Sequence, residues 1–206
     1  MKTIYILLLS STLLSNFLYS SNDDHDHCDS SDVNTNERSF TNNFSGTFNG
    51  KKVNYIASLK EKILYEKDNP DEPMASFFYT EYIVDGDKNR PIIFSFNGGP
   101  GSASLWLHMG VLGPKIIKVP SDASDDGSPP YNIIDNKLSP LSDADLVFID
   151  PIGTGYSRAI GCHNGEEFWG VNEDPKIIAE FIRRWISDNN RWNSPRYIPG
   201  ESYGGI

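Results

Sequence analysis

Residues 196–205, RYIPGESYGG, decide how the rest of the chain is read. Gly200-Glu201-Ser202-Tyr203-Gly204 fits the Gly-x-Ser-x-Gly pattern, a sharp strand-to-helix turn that holds a serine oxygen out at the edge of a sheet. Alone the pattern is short enough to arise by chance, so its weight depends on what precedes it.

Working outward, two apolar runs precede this turn, and each ends in glycines. PIIFSF (91–96) leads into NGGPGSAS (97–104), and DLVFID (145–150) leads into PIGTGYS (151–157). Runs that are apolar nearly throughout suit strands covered on both faces. After the first glycine loop, SLWLHMGVLG (104–113) is a short helix candidate. After the second, NEDPKIIAEFIRRWISDNNRW (172–192) predicts an amphipathic helix with acids at its start, Pro175 in its first turn, and Ile178, Phe181, Ile182 and Trp185 along one face. Strand, loop and helix in repetition predict a parallel sheet whose loops gather at the carboxyl ends of the strands, where α/β folds place their sites. Ahead of this, FSGTFNGKKVNYIASL (44–59), with Asn49-Gly50 as its hairpin turn, ILYEKD (63–68) and MASFFYTEYIV (74–84) predict an opening β-meander.

At 206 residues and 38% apolar content the chain can bury one substantial core. The net charge of −10 and the scattered 18 Lys and Arg argue against nucleic acid as a partner. Residues 1–20 carry Lys2, an apolar run from Ile4 to Leu14 and small residues at Ser20 and Ser21, the pattern of a secretory signal peptide. The run is shorter than the roughly 20 residues of a spanning helix, so no stable membrane anchor is expected. Residues 21–43, rich in Ser, Asn and Asp, are expected to be a disordered leader, and 44–206 the folded domain. Within the leader, His25, His27 and Cys28 have metal-ligand chemistry but stand too close together to form a closed site, so no metal is expected. Export permits Cys28 and Cys162 to pair, although a polar tail and a loop lean against a structural disulfide.

Acyl transfer needs a nucleophile, a base, and donors for the oxyanion. In elbow geometry one donor is the N–H after the nucleophile, here Tyr203, and the other comes from a glycine-rich loop after an earlier strand, here Asn97–Ser104. Gly98 and Gly99 let the backbone approach a substrate with no Cβ in the way.

Asn97 to Gly101, Asp150 to Ser157 and Gly200 to Gly204, in this order, resemble the serine carboxypeptidase family of the α/β-hydrolases, over roughly Phe44 to the end. The resemblance implies an α/β fold with an incomplete α/β-hydrolase sheet, a meander followed by parallel strands with helices. It implies an acyl-enzyme at Ser202 that releases C-terminal residues from peptides or proteins, with Gly99 and Tyr203 N–H groups as oxyanion donors. Asn97, Gly98 and Glu201 then belong to the substrate site, Asn97 and Glu201 gripping the C-terminal carboxylate. No metal or cofactor is implied, and Asp150 to Ser157 receives no catalytic role. Departures from the family pattern are Ser95 in place of Trp, Ser102 in place of Cys, and Val111 in place of a second Glu. The last puts carboxylate recognition and an acid-shifted pH profile in question. An acyltransferase or esterase on the same scaffold, or a non-catalytic binding protein, remains open.

The family's base and orienting acid follow the nucleophile, and only Gly205 and Ile206 lie beyond Gly204. His108 and His163 are expected to be structural or surface histidines. The polypeptide is expected to be an amino-terminal portion that folds poorly and hydrolyses nothing by itself.

Overall fold

The computed structural model describes residues 33–118, 122 and 129–206. The expected signal peptide, most of the expected leader, the HDHCD stretch and Cys28 lie outside the described residues.

The chain opens as a meander. β1 (Ser39–Phe48) turns at Asn49-Gly50 into β2 (Lys51–Tyr65), which returns as β3 (Pro73–Val84). Asn49 and Gly50 take φ of 48° and 78°, the left-handed pair that closes a two-residue hairpin with the twist of its strands. The runs read as separate at 44–59 and 63–68 are joined from Lys51 to Tyr65 in one continuous strand, β2, because the charged residues between them keep its pairing with β3: Glu61 is buried against Arg38 and Ser76, and Lys60 and Lys62 are half-buried. β1 begins at Ser39, five residues ahead of the expected domain start at Phe44. Phe40, Phe44 and Phe48 recur every fourth residue on one face of it, too sparsely for its first half to stand out from the polar leader.

β4 (Ile92–Ser95), β5 (Lys115–Ile117), β6 (Ile133–Asp135), β7 (Asp145–Ile149), β8 (Arg158–Ala159), α1 (Glu173–Asp188) and β9 (Arg196–Tyr197) follow. The main sheet has the order β1-β2-β3-β7-β4-β9, with β8 pairing β3; β5 and β6 form a separate ribbon. β4 pairs in parallel with both β7 and β9, whereas β7 meets the meander antiparallel at β3. This is a partial α/β-hydrolase fold.

β7 is buried at every position because the sheet is covered on both sides. Val147 and Ile149 face α1, with Phe77, Phe94, Phe181 and Trp185 in one core. Leu146 and Phe148 face a second core with Phe48, Tyr55 and Leu141. α1 buries Ile178, Phe181, Ile182 and Trp185, the face read from the sequence, together with Ile177 and Ile186. Phe181 meets Phe77 and Tyr79 at centroid distances of 5.1 and 5.0 Å, and Trp185 meets Phe94 edge-on at 5.3 Å. Side chains of this size contribute about 3 kcal/mol each through burial. The indole N–H of Trp185 donates to Glu81 at 2.9 Å, and Lys60 pairs the other Glu81 oxygen, so the buried carboxylate is satisfied.

Two expectations change. The segment read as a short helix forms a wider π-type turn over Leu107–Leu112, which buries none of its residues. Cys162 is disulfide-bonded, against the leaning toward an unpaired thiol. Pairing depends on a through-space approach that the local composition of tail and loop does not encode.

Candidate functional site

One strand pairing creates the site. β9 lies parallel beside β4 with Ile92 opposite Arg196 and Ile93 opposite Tyr197, and a further parallel bridge joins Phe96 to Gly200. The loop after β4 and the turn after β9 therefore leave the sheet side by side at its carboxyl edge.

Glu201 is still extended (φ −104°, ψ 133°), while Ser202–Gly205 form a 3-10 turn. The reversal falls on Ser202, whose φ of 55° puts a residue with a Cβ in the left-handed region. Such a conformation costs on the order of 1–3 kcal/mol and persists only where the surroundings over-determine it. Close packing does so here. A Cβ at Gly200 would overlap the Gly204 carbonyl, and one at Gly98 would sit 2.5 Å from both the Glu201 carbonyl oxygen and the Tyr203 nitrogen. The glycine loop and the turn thus touch backbone to backbone. Ser202 and Glu201 are exposed at this junction. The Tyr203 hydroxyl donates to Asp174 in the first turn of α1, at 3.1 Å.

Ser104 holds the glycine loop. Its N–H donates to Asp150 Oδ1 at 2.8 Å, its hydroxyl donates to the Ile149 carbonyl, and the same oxygen accepts the Asn97 N–H at 3.4 Å. The two glycine-ended motifs are in this way tied to one another. Burial raises the Asp150 carboxyl above the usual carboxylate range, opposed by the bond from Ser104. Ser157, at the end of the second motif, accepts the Phe78 N–H at 2.8 Å and so anchors that motif to β3.

Asn97 is 4% exposed. Its Oδ1 accepts the Leu107 N–H at 3.1 Å, which fixes the sense of the amide. Nδ2 has no partner among the described residues, although Asn97 lines a cavity of about 1040 Å³. Gly98 and Tyr203 line it too, as do Pro151–Thr154 of the second motif and the apolar side chains Ile178, Ile182 and Ile186 of α1. Of the six residues singled out from the sequence, Asn97, Gly98 and Tyr203 face this cavity, while Gly99 (φ 118°), Glu201 and Ser202 do not line it. Ser104 had no role in the sequence reading. Its place directly before an apolar turn was the only signal, and that does not reveal a partner 46 residues away.

Both histidines in the described residues are engaged elsewhere. His108 stacks on Phe148 with centroids 4.5 Å apart and shares a 2.6 Å hydrogen bond with the Tyr82 hydroxyl. Burial pushes its pKa down to about 4, so it is neutral near pH 7. The His163 ring nitrogens face Glu167 at 2.7 Å and Glu66 at 3.2 Å. Among the described residues no group of three or more His, Cys, Asp or Glu is arranged to hold a metal ion, and no helix is long and apolar enough to cross a membrane.

The sequence model of the serine carboxypeptidase family matches residues 54–206. Serine carboxypeptidase-like 9 of Arabidopsis thaliana is 28% identical over 167 residues, covering 76% of this chain and 36% of that protein. Serine carboxypeptidase-like 10 of the same plant is 28% identical over 141 residues, with coverage of 66% and 30%. Serine carboxypeptidase-like 13 is 29% identical over 143 residues, with coverage of 66% and 31%. The chain spans about a third of the length of these relatives.

Proposed function

Because this chain belongs to the serine carboxypeptidase family, we propose that the protein carrying it hydrolyses C-terminal peptide bonds through an acyl-enzyme at Ser202. The observation that carries this reading is the left-handed Ser202, exposed on a turn pressed directly onto the Gly98 backbone.

Ser202 Oγ attacks the scissile carbonyl carbon and loses its proton to a base. The C=O electrons move to oxygen, which accepts from the N–H groups of Gly99 and Tyr203 as the negative charge develops. Collapse breaks the C–N bond as the base hands its proton to the departing nitrogen, so the C-terminal amino acid leaves as a free amine. Water then attacks the acyl group, losing a proton to the base, which returns it to Ser202 Oγ as the acid is released. Because Leu107 holds Asn97 Oδ1, the free Nδ2 is a donor for the substrate's terminal carboxylate. Gly98 allows the loop its close approach, and Glu201 is assigned to the same subsite. The base is assigned to the part of the relatives' length that this chain does not span, since neither His108 nor His163 has a ring free for it. Nothing in this chemistry requires a metal or cofactor. The signal-like residues 1–20 support an exported or secretory location.

The test uses the protein expressed from its complete reading frame, with blocked peptides as substrates. Release of C-terminal residues is expected, together with fluorophosphonate labelling at Ser202. Ser202→Ala lowers kcat by about six orders of magnitude if the nucleophile is assigned correctly. Peptide release that survives this substitution overturns the reading. Val111, 47% exposed and apolar, stands where the family pattern has a second Glu, and this departure favours a second reading as an acyltransferase or esterase. Faster turnover of ester than of peptide donors, with acyl transfer to an added alcohol, selects that alternative.

A further inference from the structure

β1 is the outer strand of the sheet, and among the described residues no strand pairs with its far side. An open strand edge is a template for pairing with another chain, and proteins blunt such edges with charge, proline, bulges or brevity. β1 uses none of these. It runs for ten residues, SFTNNFSGTF, without a charge or a proline, and pairs with β2 in unbroken register from Ser39 to Phe48. Phe40 and Phe44, 63% and 48% exposed, add apolar surface to it.

In the middle of this strand, Asn43-Phe44-Ser45 is the one Asn-x-Ser/Thr acceptor sequence for N-linked glycosylation in the chain. Phe44 turns toward the second core and stacks on Tyr55, with centroids 5.8 Å apart. Residues i and i+2 of a strand share a face, so Asn43 and Ser45 lie together on the other one. Both are exposed, and neither side chain has a hydrogen-bond partner among the described residues. From this coincidence of an acceptor pair and an unguarded edge, we propose that Asn43 carries an N-linked glycan that shields β1 from edge-to-edge association.

The donor class is a lipid-linked oligosaccharide pyrophosphate. Asn43 Nδ2 attacks C1 of its first sugar, the C1–Nδ2 bond forms, and the C1–oxygen bond to pyrophosphate breaks. The lipid pyrophosphate leaves with that electron pair, and the amide loses one proton. The proposal is independent of catalysis at Ser202, but it requires exposure to a eukaryotic secretory lumen.

The experiment is secretion of the complete reading frame from yeast behind a yeast export signal, followed by mass mapping with and without peptide N-glycosidase F. The expected result is a peptide in which Asn43 is converted to Asp by the enzyme. Ser45→Ala is expected to abolish the glycan and Ser45→Thr to retain it, which separates the acceptor rule from damage to the strand. Unmodified Asn43 in secreted protein, or a glycan that survives Ser45→Ala, overturns the assignment. Deglycosylated native protein is expected to self-associate in light scattering, at least doubling its apparent mass. If it stays monodisperse, the shielding role is wrong.

Discussion

β7 carries an aspartate at each end, and the two live differently. Asp145, where the strand begins, is fully buried; Arg191 pairs one oxygen at 2.7 Å, while Arg90 at 3.2 Å and the Val84 N–H at 3.0 Å hold the other. Arg191 is itself tied to the Arg90 carbonyl and to Ser194. Asp150, which follows the strand, accepts one backbone N–H and pairs with no cation among the described residues, and burial lifts its pKa. Five residues apart in sequence, the same side chain closes the base of the sheet in one place and steadies a loop of the candidate site in the other. Saturated pairing belongs to the end that must not move. Sparse pairing belongs to the end where loops meet a cavity.

The largest expected effect attacks the saturated end. Arg191→Met leaves Asp145 buried with a single partial counter-ion and should cost about 3–5 kcal/mol in denaturant unfolding. Replacing Asp145 by Leu as well should recover part of that loss, because no orphaned charge then remains. If Arg191→Met is neutral, the two ends are not distinguished by electrostatics.

On the flank of the same strand, His108 predicts an acid limb to stability. Its folded pKa of about 4 lies below the ordinary 6.5, so the unfolded chain binds the proton first. Stability is fully present above pH 6.5, falls as pH drops toward 4 and levels off below, a loss of about 3 kcal/mol. His108→Gln should flatten that limb in unfolding curves measured across this range.

At the sparse end, Gly98→Ala forces a methyl into the elbow backbone. A stability cost of about 1–3 kcal/mol is expected, with kcat falling about 10²–10³-fold if the loop and turn share the oxyanion. The smallest effect belongs to Asp150→Asn, which keeps an Oδ1 acceptor for Ser104 and should change stability by less than about 1 kcal/mol. Its sign depends on pH. A raised carboxyl pKa makes the folded state hold its proton longer, so wild type loses stability as pH rises through the window between the unfolded and folded values. The Asn variant should gain relative to it over that window. Asp150→Ala, which removes the acceptor, should cost more than Asp150→Asn at every pH.

Much of this architecture was legible in local sequence. Hydrophobic alternation marked the meander, uninterrupted apolar runs marked β4 and β7, and a period of 3.6 gave the buried face of α1. Gly-x-Ser-x-Gly located the elbow because a turn this tight admits only hydrogen at its flanks, and that demand is written into residue type. Partners distant along the chain were not legible. Nothing near Ser104 announces Asp150, nothing near Asp145 announces Arg191, and the bonded state of Cys162 depends on a second thiol brought close by folding. The sequence by itself determined where a serine stands between glycines on a tight turn, where a glycine loop follows an apolar strand and where an amide side chain opens that loop, since those properties reside in single side chains and their immediate backbone. Only the tertiary structure decided that Gly98 touches the Ser202 turn, that Asn97 Oδ1 is held by Leu107 while Nδ2 has no partner among the described residues, and that among those residues β1 is an open edge. Each of those follows from β4 and β9 lying side by side, or from β1 standing last in the sheet, and strand order is a property of the assembled chain.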